Sequence, residues 1–239
     1  HDTTLNVDGI SVDSSSGATG INLAGGGPAV ANIDNVDIND TDVAVDQNNG
    51  NADNLNLTSS TITNSGTAGL QLDNNGQATL SVNTHFNSFS DNAIGVDVNA
   101  DDVDDATTRD VNLTFNDFVN SGSAGLDTDD TTSMAGSINA NYSWWGDSTG
   151  PNGTAVDAYG TGDNVTLDSD SDANLFPHLK HSISEFSDAQ RNGNQLVLIE
   201  NPEHPQVVET APVSVTVFDE SAGYTANDVV TTSSDDWET

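Results

Sequence analysis

The segment Asn64-Ser65-Gly66-Thr67-Ala68-Gly69-Leu70 returns as Asn120-Ser121-Gly122-Ser123-Ala124-Gly125-Leu126. Six of the seven positions are identical, and the copies lie 56 residues apart, two steps of 28. A fixed period in this range marks a solenoid, in which each unit buries its apolar edge only against its neighbours. Apolar anchors keep the same beat. Ile10, Val36, Ile62, Phe89, Phe118 and Trp144 follow one another at 26, 26, 27, 29 and 26 residues. A second set, Ile21, Val43, Leu70, Val96 and Leu126, follows the first by 7 to 11 residues.

Short alternating pieces precede the anchors: Leu5-Asn6-Val7, Ala31-Asn32-Ile33, Leu55-Asn56-Leu57, Val111-Asn112-Leu113 and Ile138-Asn139-Ala140. Alternation sends the apolar side chains to one face and Asn to the other, as a half-buried strand requires. Gly, Asn, Asp and Ser fill the gaps and supply turns. Two or three very short strands per unit fit one coil of a parallel β-helix rather than a sandwich. Leucine-rich and WD-type signatures are missing, and no 3.6-residue amphipathic pattern supports helical repeats. The longest step holds Asn99 to Arg109, which reads as an insertion looping out of the stack.

The repeats end in Asn141-Tyr142-Ser143-Trp144-Trp145-Gly146-Asp147-Ser148-Thr149-Gly150-Pro151. Gly160-Thr161-Gly162-Asp163 and Phe176-Pro177-His178-Leu179 follow. This arrangement resembles the last coil and C-terminal cap of right-handed parallel β-helix repeat proteins, common among secreted and surface proteins of bacteria and archaea. The resemblance covers roughly residues 5 to 180 and implies an all-β, right-handed parallel β-helix of about six coils, with its cap at about 141–180. Residues 181–239 read as a β-rich extension. Gln195–Ile199 and Val213–Phe218 are strand candidates there, and the tract resembles the opening of an immunoglobulin-like module.

Charge narrows the class of partner. Asp plus Glu number 38 against 3 Lys plus Arg, a net of −35. Such a chain repels itself in ordinary salt. In multimolar salt the Debye length falls to about 3 Å or less and the repulsion is screened. Abundant Asp, few Lys and small apolar residues resemble the proteins of halophilic archaea. Nucleic acid is excluded as a partner for want of a basic stripe. An anionic membrane surface is disfavoured likewise, and no apolar run approaches the ~18 residues of a membrane span, so no direct membrane insertion is expected. There is no cysteine, hence no disulfide and no thiolate metal site. No signal peptide is visible and the chain begins at His1 without Met, which reads as a processed or excised piece.

Candidate sites are few. Asp101, Asp102, Asp104 and Asp105, with Asp127, Asp129 and Asp130 one coil on, are acidic clusters that could hold calcium, which takes 6 to 8 oxygen ligands. No cofactor is otherwise required. The competing reading is solvated surface charge. Asn39, Asn56, Asn112, Asn141, Asn152 and Asn164 open Asn-x-Ser/Thr sequons and are candidate glycosylation sites. His178 and His181 are too few for a zinc site. Tyr142, Trp144 and Trp145 read as core-closing cap residues more than as a sugar platform. β-Helices include pectate lyases and polygalacturonases. Arg109, the only basic residue within the repeats, falls in an expected loop, and the Arg-x-Lys and Gly-His-Gly signatures are absent. The expectation is a non-catalytic extracellular structural or adhesion module of a halophilic archaeal surface protein, touching surface glycans or other envelope proteins through loops. The alternatives are a carbohydrate-active enzyme (polysaccharide lyase or glycoside hydrolase) and a tail-spike or fibre component of a haloarchaeal virus. Oligomeric state is not legible.

Overall fold

The computed structural model describes residues 4–14, 17–23, 30–48, 54–73, 79–99, 108–128, 135–153, 158–167 and 173–185. It also describes strands at 188–192, 195–199, 214–216 and 229–231.

Three parallel sheets wind into a solenoid. The first stacks Thr4–Asp8, Val30–Asp34, Asn54–Thr58, Thr79–His85, Thr108–Asn112, Ala135–Asn139 and Ala173–Asn174. The second stacks the three-residue strands Ser11–Asp13, Asp37–Asn39, Thr61–Thr63, Ser88–Ser90 and Asp117–Val119. The third runs through Thr19–Asn22, Val43–Asn48, Ala68–Asp73, Ile94–Asn99, Ala124–Asp127 and Asn164–Thr166, ending on Asn152–Gly153. Each strand therefore pairs with its equivalent one coil away, and the repeat becomes vertical columns of like residues.

The columns correct the anchor reading. In the second sheet the inward column is Val12, Ile38, Ile62, Phe89 and Phe118, in register, with Trp145 stacked on Phe118 at 4.5 Å. Ile10 is instead 40% exposed and Trp144 half-buried, while Val36 lies buried at the corner before the strand. In the third sheet Ile21 aligns with Val45, not Val43, and then with Leu70, Val96, Leu126 and Val165. At Ile10, Val36, Val43 and Trp144 the core position lies one or two residues further on, whereas Ile62, Phe89, Phe118, Ile21, Leu70, Val96 and Leu126 stand in the columns as the spacing expects.

Those corners are built on left-handed backbone. Between the first and second sheets the turn residue is Gly9, Asn35, Ser59, Phe86, Phe115 or Tyr142, with φ between 53° and 65°. Between the second and third it is Asp40, Asn64, Asp91 or Asn120, with φ between 55° and 59°. Asn and Asp tolerate this region, whereas an aromatic pays about 1–2 kcal/mol there. Phe86, Phe115 and Tyr142 stack in turn, at 5.7 and 5.3 Å between centroids, and each such pair returns about 0.5–1.5 kcal/mol.

In the middle coils the residue after the corner is buried, where the bend strands backbone groups that no ladder bond reaches. Asn87 meets this need: its Oδ1 accepts from Ser60 N at 3.0 Å and its Nδ2 donates to Leu57 O at 2.9 Å. Asn116 repeats the arrangement one coil on, accepting from Asn87 N at 3.1 Å and donating to Leu113 O and Thr84 O. At the other corner Asn92 accepts from Ser65 N at 2.9 Å and donates to Ile62 O at 3.1 Å. Buried amides thus replace the missing sheet hydrogen bonds, as buried polar groups must be satisfied.

The core widens toward the C-terminal end, from Val12 through Ile38 and Ile62 to Phe89, Phe118 and Trp145. The third sheet makes room with Gly69, Gly95 and Gly125. A Cβ on Gly69 would lie 3.0 Å from the Phe89 ring, and one on Gly95 would lie 3.1 Å from Phe118. Outside the solenoid, Asp188–Asn192 pairs antiparallel with Gln195–Ile199, and Ser214–Thr216 with Val229–Thr231.

Candidate functional site

The outer wall of the first sheet carries a column of seven asparagines: Asn6, Asn32, Asn56, Asn83, Asn112, Asn139 and Asn174, each in register with the next. Alternation in the strand dictates it, since every Asn sits between two inward residues, both apolar except at Asn83, where Thr84 is one of the pair. The amides bond along the column. Asn32 Nδ2 donates to Asn6 Oδ1 and Asn56 Nδ2 donates to Asn32 Oδ1, both at 2.8 Å. Two residues on runs a parallel column of Asp8, Asp34, Thr58 and His85. Thr58 Oγ1 donates to Asp34 Oδ1 at 2.5 Å, and His85 Nδ1 lies 3.3 Å from Thr114 Oγ1.

The third sheet bears the acidic wall: Asn22, Asp46, Gln71, Asp97, Asp127 and Thr166 in one outward column. Asp97 and Asp127 stand side by side, and Asp46 and Asp97 are buried. Asn22 Nδ2 donates to Asp46 Oδ2 at 3.2 Å. Of the seven aspartates proposed for calcium, Asp127 is the one the structure describes. Asp101, Asp102, Asp104, Asp105, Asp129 and Asp130 lie outside the described residues, as does most of the Asn99–Arg109 step. Arg109 itself belongs to the strand Thr108–Asn112, not to a loop, because its backbone pairs in register with Leu80 and Gly136. Asp46 and Asp97 escaped the sequence reading. Their signal was present in the recurring Val45-Asp46, Val96-Asp97 and Leu126-Asp127 pairs.

The cap is assembled from glycines and one carboxylate turn. Trp145 is fully buried and closes the inner column, whereas Tyr142 ends the outer aromatic stack and Trp144 stacks on His181 at 6.5 Å. The three aromatics thus do three different jobs. Gly162 N donates to Gly150 O at 2.9 Å, and a Cβ on Gly162 would fall 2.1 Å from Trp145 O. Asp163 Oδ2 accepts from Ser121 N at 2.9 Å and ties the cap to the previous coil. His178 is buried against Gly150, where a Cβ would meet its ring at 2.6 Å. Asp117, buried, accepts from Ile183 N through both oxygens and holds the start of the 3₁₀ turn Ile183–Glu185. Asp147 Oδ1 accepts from Thr149 N at 2.9 Å and Thr149 Oγ1 at 2.6 Å. Those bonds favour the ionised form and hold its carboxyl below the ordinary value of 3.8.

The six sequon asparagines occupy different settings. Asn56 and Asn112 stand in the asparagine column. Asn39 donates to Asp13 Oδ1 and accepts from Thr63 Oγ1 and Asn64 Nδ2. Asn164 Nδ2 donates to Thr166 Oγ1 at 3.2 Å. Asn141 is half-buried and Asn152 exposed.

Among the described residues, no group of three or more His, Cys, Asp or Glu is placed to hold a metal ion, and no helix is long and apolar enough to cross a membrane. No protein-family model matches the chain, and neither a curated protein nor a solved structure does. The fold and these walls are therefore the ground for any functional reading.

Proposed function

We propose that the chain is a non-catalytic structural or adhesion module of an extracellular protein from a halophilic archaeon. In this reading residues 1 to about 180 form a right-handed β-helix of about six coils. Residues 181–239 extend it and begin an immunoglobulin-like module. Surface glycans or other envelope proteins are the partners. The observation that carries the reading is the asparagine column, in which Asn6, Asn32, Asn56 and Asn83 bond side chain to side chain along the stack and so stiffen the wall. The net charge of −35 supports the saline setting. Calcium on the acidic loops belongs to the same reading, and a rise in melting temperature on adding calcium is its expected mark.

The test is binding against turnover. The chain is incubated in multimolar salt with acidic envelope polysaccharide. Retention of the polysaccharide with no new reducing ends and no unsaturated product is expected, and release of either product would refute the proposal. One observation favours an enzyme instead: Asp97 and Asp127 stand adjacent on the third sheet, and paired carboxylates are what glycoside hydrolysis needs. Should product appear, its loss in Asp97→Asn and Asp127→Asn would locate that activity.

A further inference from the structure

Asn152 differs from the other sequon asparagines in what surrounds it. Its residue is exposed, and no side-chain hydrogen bond holds it among the described residues. It lies in the short strand Asn152–Gly153 at the end of the third sheet, and its N–H donates to Asp163 O at 3.1 Å, so its backbone is anchored while its side chain is not. Gly153 fixes the local path. Its φ is +141°, and a Cβ there would overlap Val165 O at 2.0 Å.

Opposite Asn152, as its antiparallel bridge partner, stands Tyr159. Its side chain is 84% exposed, the most open large apolar group among the described residues. Packing gives no account of it: the cap closes on Trp145, and the aromatic stacks run elsewhere. Residues directly opposed in an antiparallel bridge point to the same face with Cβ atoms about 4.5–5.5 Å apart. A group carried on Asn152 Nδ2 therefore leaves the chain on the same face as the Tyr159 ring.

We propose that Asn152, in Asn152-Gly153-Thr154, is the N-glycosylation site of this chain and that the first sugar rests its apolar C–H face on Tyr159. The electron-rich face of an aromatic ring suits the polarised C–H bonds of a pyranose. The remaining sequons are poorer acceptors for structural reasons. Nδ2 of Asn56 is already held by Asn32, that of Asn39 by Asp13 and that of Asn164 by Thr166, so each must leave its partner or crowd it to enter a transferase. Asn112 is confined between Asn83 and Asn139 in the column, and Asn141 is half-buried.

This inference deepens the extracellular reading, on which its biological sense rests, but its test does not require that reading. The chain, fused behind a secretion leader, is expressed in an N-glycosylating eukaryotic host and meets the transferase wherever its native location. Occupancy is read by mass spectrometry on the denatured chain. A hexose-containing mass on the Asn152 peptide is expected, lost in Asn152→Gln and in Thr154→Ala, with the Asn56 and Asn112 peptides unmodified. An unmodified Asn152 peptide, or glycan on Asn56 or Asn112 in its place, overturns the assignment. The ring is tested separately in high salt. Tyr159→Ala should lower the melting temperature of the glycosylated protein by about 2–4 °C and leave the Asn152→Gln background unchanged. Tyr159→Phe should behave as wild type. Equal shifts in both backgrounds overturn the contact with Tyr159.

Discussion

Gly69 and Gly95 carry no side chain where the rings of Phe89 and Phe118 need the space. At Gly69 an added methyl would also meet Gly95 O at 2.7 Å, and at Gly95 it would meet Gly125 O at 2.5 Å. Gly95→Ala is therefore expected to cost about 1–3 kcal/mol by overpacking. Gly122→Ala, whose nearest contact would be 3.5 Å away, should cost far less. Denaturant midpoints of the two variants make the comparison. Asn116 is the second sensitive residue: Asn116→Ala removes the acceptor of the buried Asn87 N–H and the side-chain donor to Thr84 O, while Leu113 O keeps the Ser143 hydroxyl, at about 1–3 kcal/mol for each group stranded. Asp147 sets a pH dependence. Its folded pKa is lowered through its bonds from Thr149, so its contribution is present above the unfolded value of 3.8 and is lost as pH falls through the folded pKa. Thr149→Val should return the Asp147 titration, followed by carboxyl carbon shifts, toward the ordinary carboxylate range.

A single coil cannot bury both of its edges, so each three-residue strand of the second sheet is stable only between neighbours. The inner column shows where the stack is strongest, since Phe89, Phe118 and Trp145 are fully buried and stacked at 5.5 and 4.5 Å. Trp145→Ala removes the closing ring and should destabilise by about 3–5 kcal/mol. Trp144→Ala, at the next residue, loses a half-buried ring against His181 and should cost markedly less. Thermal melts of the pair distinguish the column the structure draws from the one the anchor spacing suggested. The outer stack behaves differently. Phe86, Phe115 and Tyr142 pay for left-handed backbone with ring contact, so at these corners the two effects nearly offset one another.

Over the whole molecule the acidic excess acts against compactness. With a net charge of −35 and aspartates aligned at one-coil spacing, self-repulsion falls as salt rises. Melting temperature should climb between about 0.1 and 2 M salt, and circular dichroism under both conditions checks it. A native spectrum unchanged at low ionic strength, without divalent cations, would remove the halophile argument. The edge strands at the N-terminal end point the same way. Leu5, Val7, Val12 and Ile21 are only partly buried there, so that end is the weaker one, and its amides should exchange with solvent before those around Phe118.

The repeat spacing and the Leu-Asn-Val, Ala-Asn-Ile and Leu-Asn-Leu pieces were enough to specify stacked parallel strands with asparagine outside, because alternation and period are one-dimensional properties of a chain. They specified the core residue at Ile62, Phe89, Phe118, Leu70, Val96 and Leu126 but not in every coil. Val12 takes the place expected of Ile10, Val45 that of Val43 and Trp145 that of Trp144, because left-handed corners at positions such as Asn35 and Asn64 reset the alternation between strands. The roles of Asn87 and Asn116 were hidden likewise, since a buried amide and an exposed one are the same letter until a coil above and below supplies its partners. The sequence by itself determined the kind of fold and the chemistry of its walls. The tertiary structure alone decided which carboxylates, amides and rings meet, because those meetings join residues two dozen or more positions apart and depend on register.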